Sequence, residues 1–159
     1  MNSRHTAAFA VAAGLLIFAP SSQAAEALAP FVGNWSGSGK ITVQNGSSER
    51  IRCRSSNTTN GKSLALSMRC ASDSYKFELA SDIANDGGNI SGSWNETSRG
   101  VIGTLSGKIT GSNIQATATA IGVTAALSIR VAGPALNVSL RSPGSEVSEV
   151  TVSMAKGGR

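Results

Sequence analysis

The chain has 159 residues, of which 40% are hydrophobic, 4% aromatic and 14% charged, and its formal net charge is +5. This length fits one domain with a buried core, and the modest basic excess favours anionic partners without selecting one. The one histidine, His5, falls in the N-terminal segment described next. Histidine-dependent catalytic arrangements and most zinc sites are therefore excluded for the rest of the chain.

The first predicted element is a secretory signal over residues 1–24. Arg4 supplies a basic start, residues 7–19 form an alanine-rich apolar run too short to span a bilayer, and Ser22-Gln23-Ala24 has the small-x-small pattern of a cleavage site. No cysteine follows the run, which argues against a lipoprotein. We therefore expect a bacterial protein exported by a Sec-type signal to the periplasm or the medium. Its mature chain begins near Ala25.

Removing residues 1–24 leaves 135 of the 159 residues and, with Arg4 lost, a net charge of +4. Residues 25–30 are predicted to form a short N-terminal arm, residues 31–155 a single domain, and residues 156–159 a tail. Turn signals such as Asn60-Gly61 recur along the domain.

The segments between the turns alternate apolar and polar residues, and none shows a convincing helical period. The predicted strands are 31–43, 48–56, 63–72, 75–81, 89–97, 101–110, 113–121, 123–132, 135–141 and 147–155. We predict an all-β antiparallel up-and-down meander of eight to ten strands. Closure into a barrel would remove the exposed edges, and a two-sheet β-sandwich is the alternative.

Cys53 and Cys70 are expected to form a disulfide, because export places them in an oxidising compartment. Alternation puts both cysteines on the apolar faces of their strands. A hairpin centred between Gly61 and Lys62 sets Cys53 directly opposite Cys70. A redox-active pair or a metal site is disfavoured, because the spacing is not C-x-x-C and no histidine completes a ligand set.

The same alternation turns four arginines outward: Arg50, Arg52, Arg54 and Arg69. In this register Arg54 lies opposite Arg69. Like charges opposed across a ladder are destabilising unless something compensates them. We therefore hypothesise an anion-binding patch for an envelope component such as lipopolysaccharide or acidic polysaccharide. The alternative is a solvated basic face relieved by Glu49 and Asp73. Nucleic-acid binding is not expected, because no aromatic residues are interleaved.

The strand at 113–121 suggests a second site, inside the barrel. Ile114, Ala116, Ala118 and Ala120 share one face, and small side chains facing a barrel centre leave volume for a ligand. With Trp94 they form the candidate pocket for a small apolar or amphipathic molecule. The alternative is that the alanines accommodate bulky neighbours from the opposite wall.

No catalytic residue, metal or cofactor is expected, and the protein is predicted not to be an enzyme. The carboxylates are scattered, and residues 82–89 lack the ligand spacing of calcium loops. A membrane-spanning barrel is disfavoured, because the aromatic residues are too few for two girdles. The oligomeric state is left open.

The stretch Phe31-Val32-Gly33-Asn34-Trp35, followed by a meander with a cysteine pair, resembles the calycin group of lipocalins, avidins and small periplasmic barrels. The resemblance covers most of residues 31–155 and implies a barrel whose closed base is plugged by Trp35, with Gly33 as its partner in the G-x-W motif. In lipocalins a late arginine covers this Trp, for which Arg130 and Arg141 are the candidates. The helix beside a lipocalin barrel has no counterpart in the predicted elements.

Two functions follow as hypotheses. The first is a non-enzymatic barrel that binds a small apolar or amphipathic ligand in the cell envelope. The second is an interaction protein: either the anionic-glycan module suggested by the arginines, or a periplasmic protease inhibitor. Small periplasmic metalloprotease inhibitors resemble this chain in size, barrel type and single disulfide, and they insert an N-terminal segment into the enzyme's cleft.

Overall fold

The computed structural model describes residues 22–157, so residues 1–21 of the predicted leader and residues 158–159 of the predicted tail lie outside it. It begins with helix α1 (Ser22–Leu28) and a 3-10 turn (Ala29–Phe31). The strands are β1 (Gly33–Val43), β2 (Ser48–Thr59), β3 (Ser63–Ala71), β4 (Lys76–Asp86), β5 (Asn89–Glu96), β6 (Val101–Thr110), β7 (Asn113–Ala120), β8 (Val123–Ala132), β9 (Ala135–Arg141) and β10 (Val147–Lys156).

The ten strands form one closed antiparallel barrel. Each strand pairs with its neighbour in sequence, and β1 pairs with β10 to close the sheet. The up-and-down barrel is therefore confirmed, and the two-sheet sandwich is wrong. Within residues 22–157, no helix is long and apolar enough to cross a membrane.

The barrel has two ends of different character. The β2–β3, β4–β5, β6–β7 and β8–β9 turns lie at the end where α1 packs against β3 and β4. We call this the plugged end. The β1–β2, β3–β4, β5–β6, β7–β8 and β9–β10 turns lie at the other end, which we call the far end.

The cysteine hairpin has the predicted register. Cys53 lies opposite Cys70 and the two form a disulfide, while Arg54 lies opposite Arg69. The period of two that places both sulfur atoms inside places the arginines outside.

Two strands extend three or more residues past their predicted ends, because polar residues continue their inward faces. β4 runs through Asp86, and its inward positions include Ile83 and the nearly buried Asn85. The Asn85 Oδ1 accepts a hydrogen bond from the Gly88 N–H at 3.0 Å and closes a tight turn. Likewise β2 continues past residue 56, because the buried Asn57 is held by hydrogen bonds at the plugged end.

Interstrand packing is closest at glycines within the strands. A Cβ atom on Gly39 would lie 1.9 Å from the Thr151 carbonyl oxygen, and one on Gly107 would lie 2.0 Å from that of Gln115. These contacts are far shorter than van der Waals distance, so only glycine allows the neighbouring backbones to approach this closely.

Candidate functional site

The N-terminal segment closes the plugged end. Leu28 and Phe31 are fully buried, and the Phe31 carbonyl oxygen accepts two hydrogen bonds: one from Trp35 Nε1 at 3.1 Å and one from Asn57 Nδ2 at 3.0 Å. Residues 25–30, predicted as an arm, therefore lie in α1 and the 3-10 turn against the barrel.

A lysine covers the tryptophan at this end. The Lys156 Nζ lies 5.3 Å from the centre of a Trp35 ring, a cation–π contact. Gly33 has φ 133°, and a Cβ there would lie 2.7 Å from Lys156 Cε, so glycine makes room for the lysine. The candidates Arg130 and Arg141 were wrong for this role. Arg130 faces outward between Asn113 and Asn137, and Arg141 pairs with Glu149 at 3.0 Å.

The inward-facing apolar residues differ in exposure. Several near the plugged end are almost completely buried; they include Leu64 at 0%, Ile83 at 1%, Ile114 at 0%, Leu136 at 1% and Met154 at 1% exposure. Toward the far end buried and partly exposed residues are mixed. The buried ones include Ile41 at 0%, Ile51 at 0%, Ala125 at 3% and Cys70 at 4% exposure, and the partly exposed ones are Met68, Phe77, Leu79, Trp94, Leu127, Leu140 and Val150.

An inward side chain in a closed barrel that reaches solvent does so through the barrel's interior. The partly exposed inward residues, Leu79, Leu127 and Leu140 among them, are therefore the candidate lining of a lumen, and buried neighbours lie between them.

The predicted pocket residues differ in exposure. Ile114 is fully buried, and Ala116 and Ala118 are 8% and 7% exposed, so these three are covered by neighbours. Ala120 and Trp94 lie nearer the far end and are partly exposed. The Trp94 Nε1 donates to the Thr104 carbonyl oxygen at 3.1 Å, and its ring lies against Gly103.

Sequence reasoning assigned Leu79, Leu127 and Leu140 to the core and did not single them out as lumen residues. Alternation shows that they face inward, but the exposure of each position depends on the side chains that reach it from the opposite wall of the closed barrel.

Aromatic and apolar side chains lie at the far end, at the start of β4, on β6 and in the β7–β8 turn. Tyr75 and Phe77 stack with ring centres 6.4 Å apart, and the Arg99 guanidinium lies 4.8 Å above the centre of the Phe77 ring. Ile102 and Ile121 are 70% and 102% exposed, in β6 and in the adjoining β7–β8 turn.

Glu96 fixes the β5–β6 turn at this end. Its carboxylate accepts hydrogen bonds from the backbone N–H groups of Glu78 at 3.0 Å and Arg99 at 2.9 Å and from the Ser98 hydroxyl, and it lies 3.7 Å from Arg99 Nη1. Burial alone would raise the pKa of Glu96. The hydrogen bonds from Ser98 and Glu78 and the charge of Arg99 nevertheless hold it below its ordinary value.

The four predicted arginines all face outward on β2 and β3. A groove of about 880 Å³ runs over this outer face of β1–β4. Its lining combines two sets of residues. The outward-facing ones are Asn34, Ser36, Arg52, Arg54, Ser56, Ser67, Arg69, Ala71, Lys76 and Glu78, and the residues whose side chains face inward include Trp35, Cys53, Ser55, Cys70 and Phe77. Arg50 lies beside it and donates from Nη2 to Ser38 Oγ at 3.2 Å.

No protein-family model matches the chain, and no curated protein matches it. Solved structures do. The chain is similar to Rv2717c from M. tuberculosis, with a TM-score of 0.65 and 18% identity over 88% of this chain and 99% of that one. It is also similar to the S-type phycobiliprotein lyase CPES from Guillardia theta, with a TM-score of 0.57 and 8% identity over 83% of this chain and 91% of that one. Likenesses at these identities establish a shared barrel fold.

Proposed function

We propose that this protein binds a small apolar or amphipathic molecule in the far-end half of its barrel. The observation that carries the proposal is the partial exposure of three inward leucines, Leu79, Leu127 and Leu140, in a barrel where other inward leucines such as Leu64 are fully buried. Binding of an apolar ligand to exposed apolar surface in a concave site is favourable, because it removes that surface from water.

The rim chemistry favours an amphipathic ligand. The apolar body of such a molecule would lie among the leucines, and its polar end would meet the rim at the Tyr75–Phe77 stack. Arg99 is already paired with Glu96, so the rim offers a partly neutralised cation rather than a free one. This suits a ligand with a weakly charged or neutral polar group.

We propose a binding role without catalysis. Residues 25–159 contain no histidine to act as a base near neutral pH, and the buried Glu96 is fully engaged as an acceptor in a turn. The lyase from Guillardia theta shares the fold, but at 8% identity that likeness carries no activity to this chain.

We also propose that the protein acts outside the cytoplasm, exported by the signal over residues 1–24. The Cys53–Cys70 disulfide supports this location, because such bonds persist in oxidising compartments. Intact-mass measurement of the protein recovered from its bacterial envelope should give a chain that begins at Ala25 and lacks two hydrogens. A chain that retains residues 1–24, or that carries free thiols, would contradict export.

Protease inhibition by an inserted N-terminal segment fits the structure less well. Leu28 and Phe31 are fully buried, so insertion into a protease cleft would require two apolar side chains to leave the core. The geometry favours lumen binding over this mechanism.

The ligand proposal is tested with two matched variants on one strand. Leu127 faces the lumen and the adjacent Ala126 faces outward. Leu127→Trp should fill the lumen and weaken binding of oleate, used as the probe, by about tenfold or more, while Ala126→Trp adds the same ring outside and should leave it unchanged. Absence of oleate binding to the wild type, or equal loss in both variants, would reject the proposal for this class of ligand.

Native mass spectrometry of protein purified from its own envelope complements this test. The proposal predicts a copurifying molecule that is recovered with the wild type and with Ala126→Trp and is reduced in Leu127→Trp. Recovery of an empty wild-type protein together with a filled interior in a crystal structure would remove the idea.

A further inference from the structure

The outer face of β1–β4 carries a row of cations that form no ion pair within 4.0 Å among residues 22–157. Lys40 lies directly opposite Arg50, and Arg54 lies directly opposite Arg69. These are two cross-strand pairs of like charge, an arrangement that costs stability. Within the described chain, neither these four cations nor Arg52 has a carboxylate within 4.0 Å.

The acidic residues nearest in sequence are engaged elsewhere. The Glu49 carboxylate accepts from the Ser74 N–H at 3.3 Å, and hydrogen bonds from Ser74 and Ser72 lower its pKa. Glu78 lies opposite Arg69 and pairs with Lys76 at 3.2 Å; Lys76 chiefly, and Arg69 to a smaller extent, hold the pKa of Glu78 below its ordinary value, so one carboxylate is shared by two cations. The groove therefore keeps an excess of positive charge.

The remaining outward-facing residues of the groove are mainly small and polar. Ser36, Ser56, Ser67 and Asn34 offer hydroxyl and amide groups that both donate and accept hydrogen bonds. Ala71 is the one apolar residue among the outward-facing positions of this lining. The surface therefore lacks aromatic faces for stacking nucleobases and apolar side chains for insertion into a bilayer.

We propose that this groove binds an acidic polysaccharide. The arginines would pair with the carboxylates of the glycan, and the serines would form hydrogen bonds with its hydroxyl groups. Arginine pairs with carboxylates through two parallel hydrogen bonds, and an extended glycan presents hydroxyls between its charged groups. The site lies on the outer surface and is separate from the lumen, so either can exist without the other.

The test compares two double variants that each remove two positive charges. Arg54→Gln/Arg69→Gln removes the opposed pair in the groove. Lys108→Gln/Arg130→Gln removes two exposed, outward-facing cations from β6 and β8. Polygalacturonate is the charged probe and dextran the neutral one, with binding measured from about 20 to 300 mM salt, a range over which the Debye length shrinks severalfold.

The proposal predicts that wild-type protein binds polygalacturonate and not dextran. The groove variant should bind about fivefold or more weaker with a flatter salt dependence, and the control variant less than about twofold weaker. The groove variant should unfold at the same or a higher urea concentration than the wild type, because repulsion is relieved. This separates lost binding from lost folding.

Equal weakening in the two variants would show a net-charge effect and would overturn the groove. Binding of single-stranded DNA or of phosphatidylglycerol vesicles as tight as that of polygalacturonate would overturn the choice of polysaccharide. Failure to bind polygalacturonate at the lowest salt concentration would overturn the proposal as a whole. Oleate binding is measured separately, so none of these results bears on the lumen.

Discussion

Asn57→Ala should destabilise the protein by about 2–4 kcal/mol, because Asn57 joins β2 to the N-terminal plug. Its side chain is 1% exposed, donates to the Phe31 carbonyl oxygen at 3.0 Å and accepts from the Ser55 hydroxyl at 2.6 Å. The Phe31 carbonyl keeps its bond from Trp35, so losing the first bond costs about 1 kcal/mol. The Ser55 hydroxyl, 5% exposed, is left without its acceptor, which adds about 1–3 kcal/mol.

Urea unfolding followed by tryptophan fluorescence, with the disulfide intact, measures this cost. Asn137→Ala, an exposed position on β9, is the control and should change stability by less than about 0.5 kcal/mol. Adding Ser55→Ala to Asn57→Ala removes the hydroxyl that has lost its acceptor. The double variant should therefore lose at least about 1 kcal/mol less unfolding free energy than the two single variants lose in sum. An Asn57→Ala cost no larger than that of Asn137→Ala, or strict additivity, would refute this account of the plug.

Three further predictions concern the barrel. Replacing Cys53 and Cys70 by serine should lower stability by about 2–4 kcal/mol in urea unfolding, and two reactive thiols in the native wild type would contradict the disulfide. Gly39→Ala should lower the free energy of unfolding by more than about 3 kcal/mol, because the methyl group would overlap the Thr151 carbonyl oxygen. Gly157→Ala, where the nearest atom would lie 3.5 Å from the new Cβ, is the control and should be neutral. Equal effects of the two substitutions would disprove the close approach of the backbones at Gly39. Because the folded-state pKa of Glu96 lies below its ordinary value of 4.5, its ionised form contributes stability that is present above that value and lost as the pH falls through the folded-state pKa. The difference in unfolding free energy between wild type and Glu96→Gln should therefore be larger at pH 7 than at about pH 3. A difference that grows as the pH falls would contradict a lowered folded-state pKa for Glu96.

Much of the fold follows from the period of two and the turns between the strands. The cysteine register was set by the Asn60-Gly61 turn and the inward alternation of both strands, and the structure has that register. The ends of β2 and β4 were missed, because Asn57 and Asn85 are polar residues on inward faces. Their partners, the Phe31 carbonyl and the Gly88 N–H, become visible only once the chain is folded.

The site was predictable in its directions and not in its exposure. Leu127 and Ala116 both face inward and lie directly opposite each other on neighbouring strands, yet Leu127 is partly exposed and Ala116 is covered. That difference depends on what fills the barrel from the opposite wall. Lys156 was assigned to a tail, because its role over Trp35 depends on β10 closing against β1. Long-range closure of this kind leaves no local pattern.

The lumen is tested most directly by its two methionines. The chain has methionines at positions 1, 68 and 154, so removal of the predicted leader leaves two: Met68, partly exposed on the inward face of β3, and Met154, 1% exposed near the plugged end. NMR of methyl-labelled methionine during titration with oleate therefore contains its own control. The account predicts that the Met68 methyl signal shifts and saturates at one oleate per protein while the Met154 signal stays in place. A Met68 signal that does not move, or a Met154 signal that moves as far, would contradict an apolar lumen that opens at the far end.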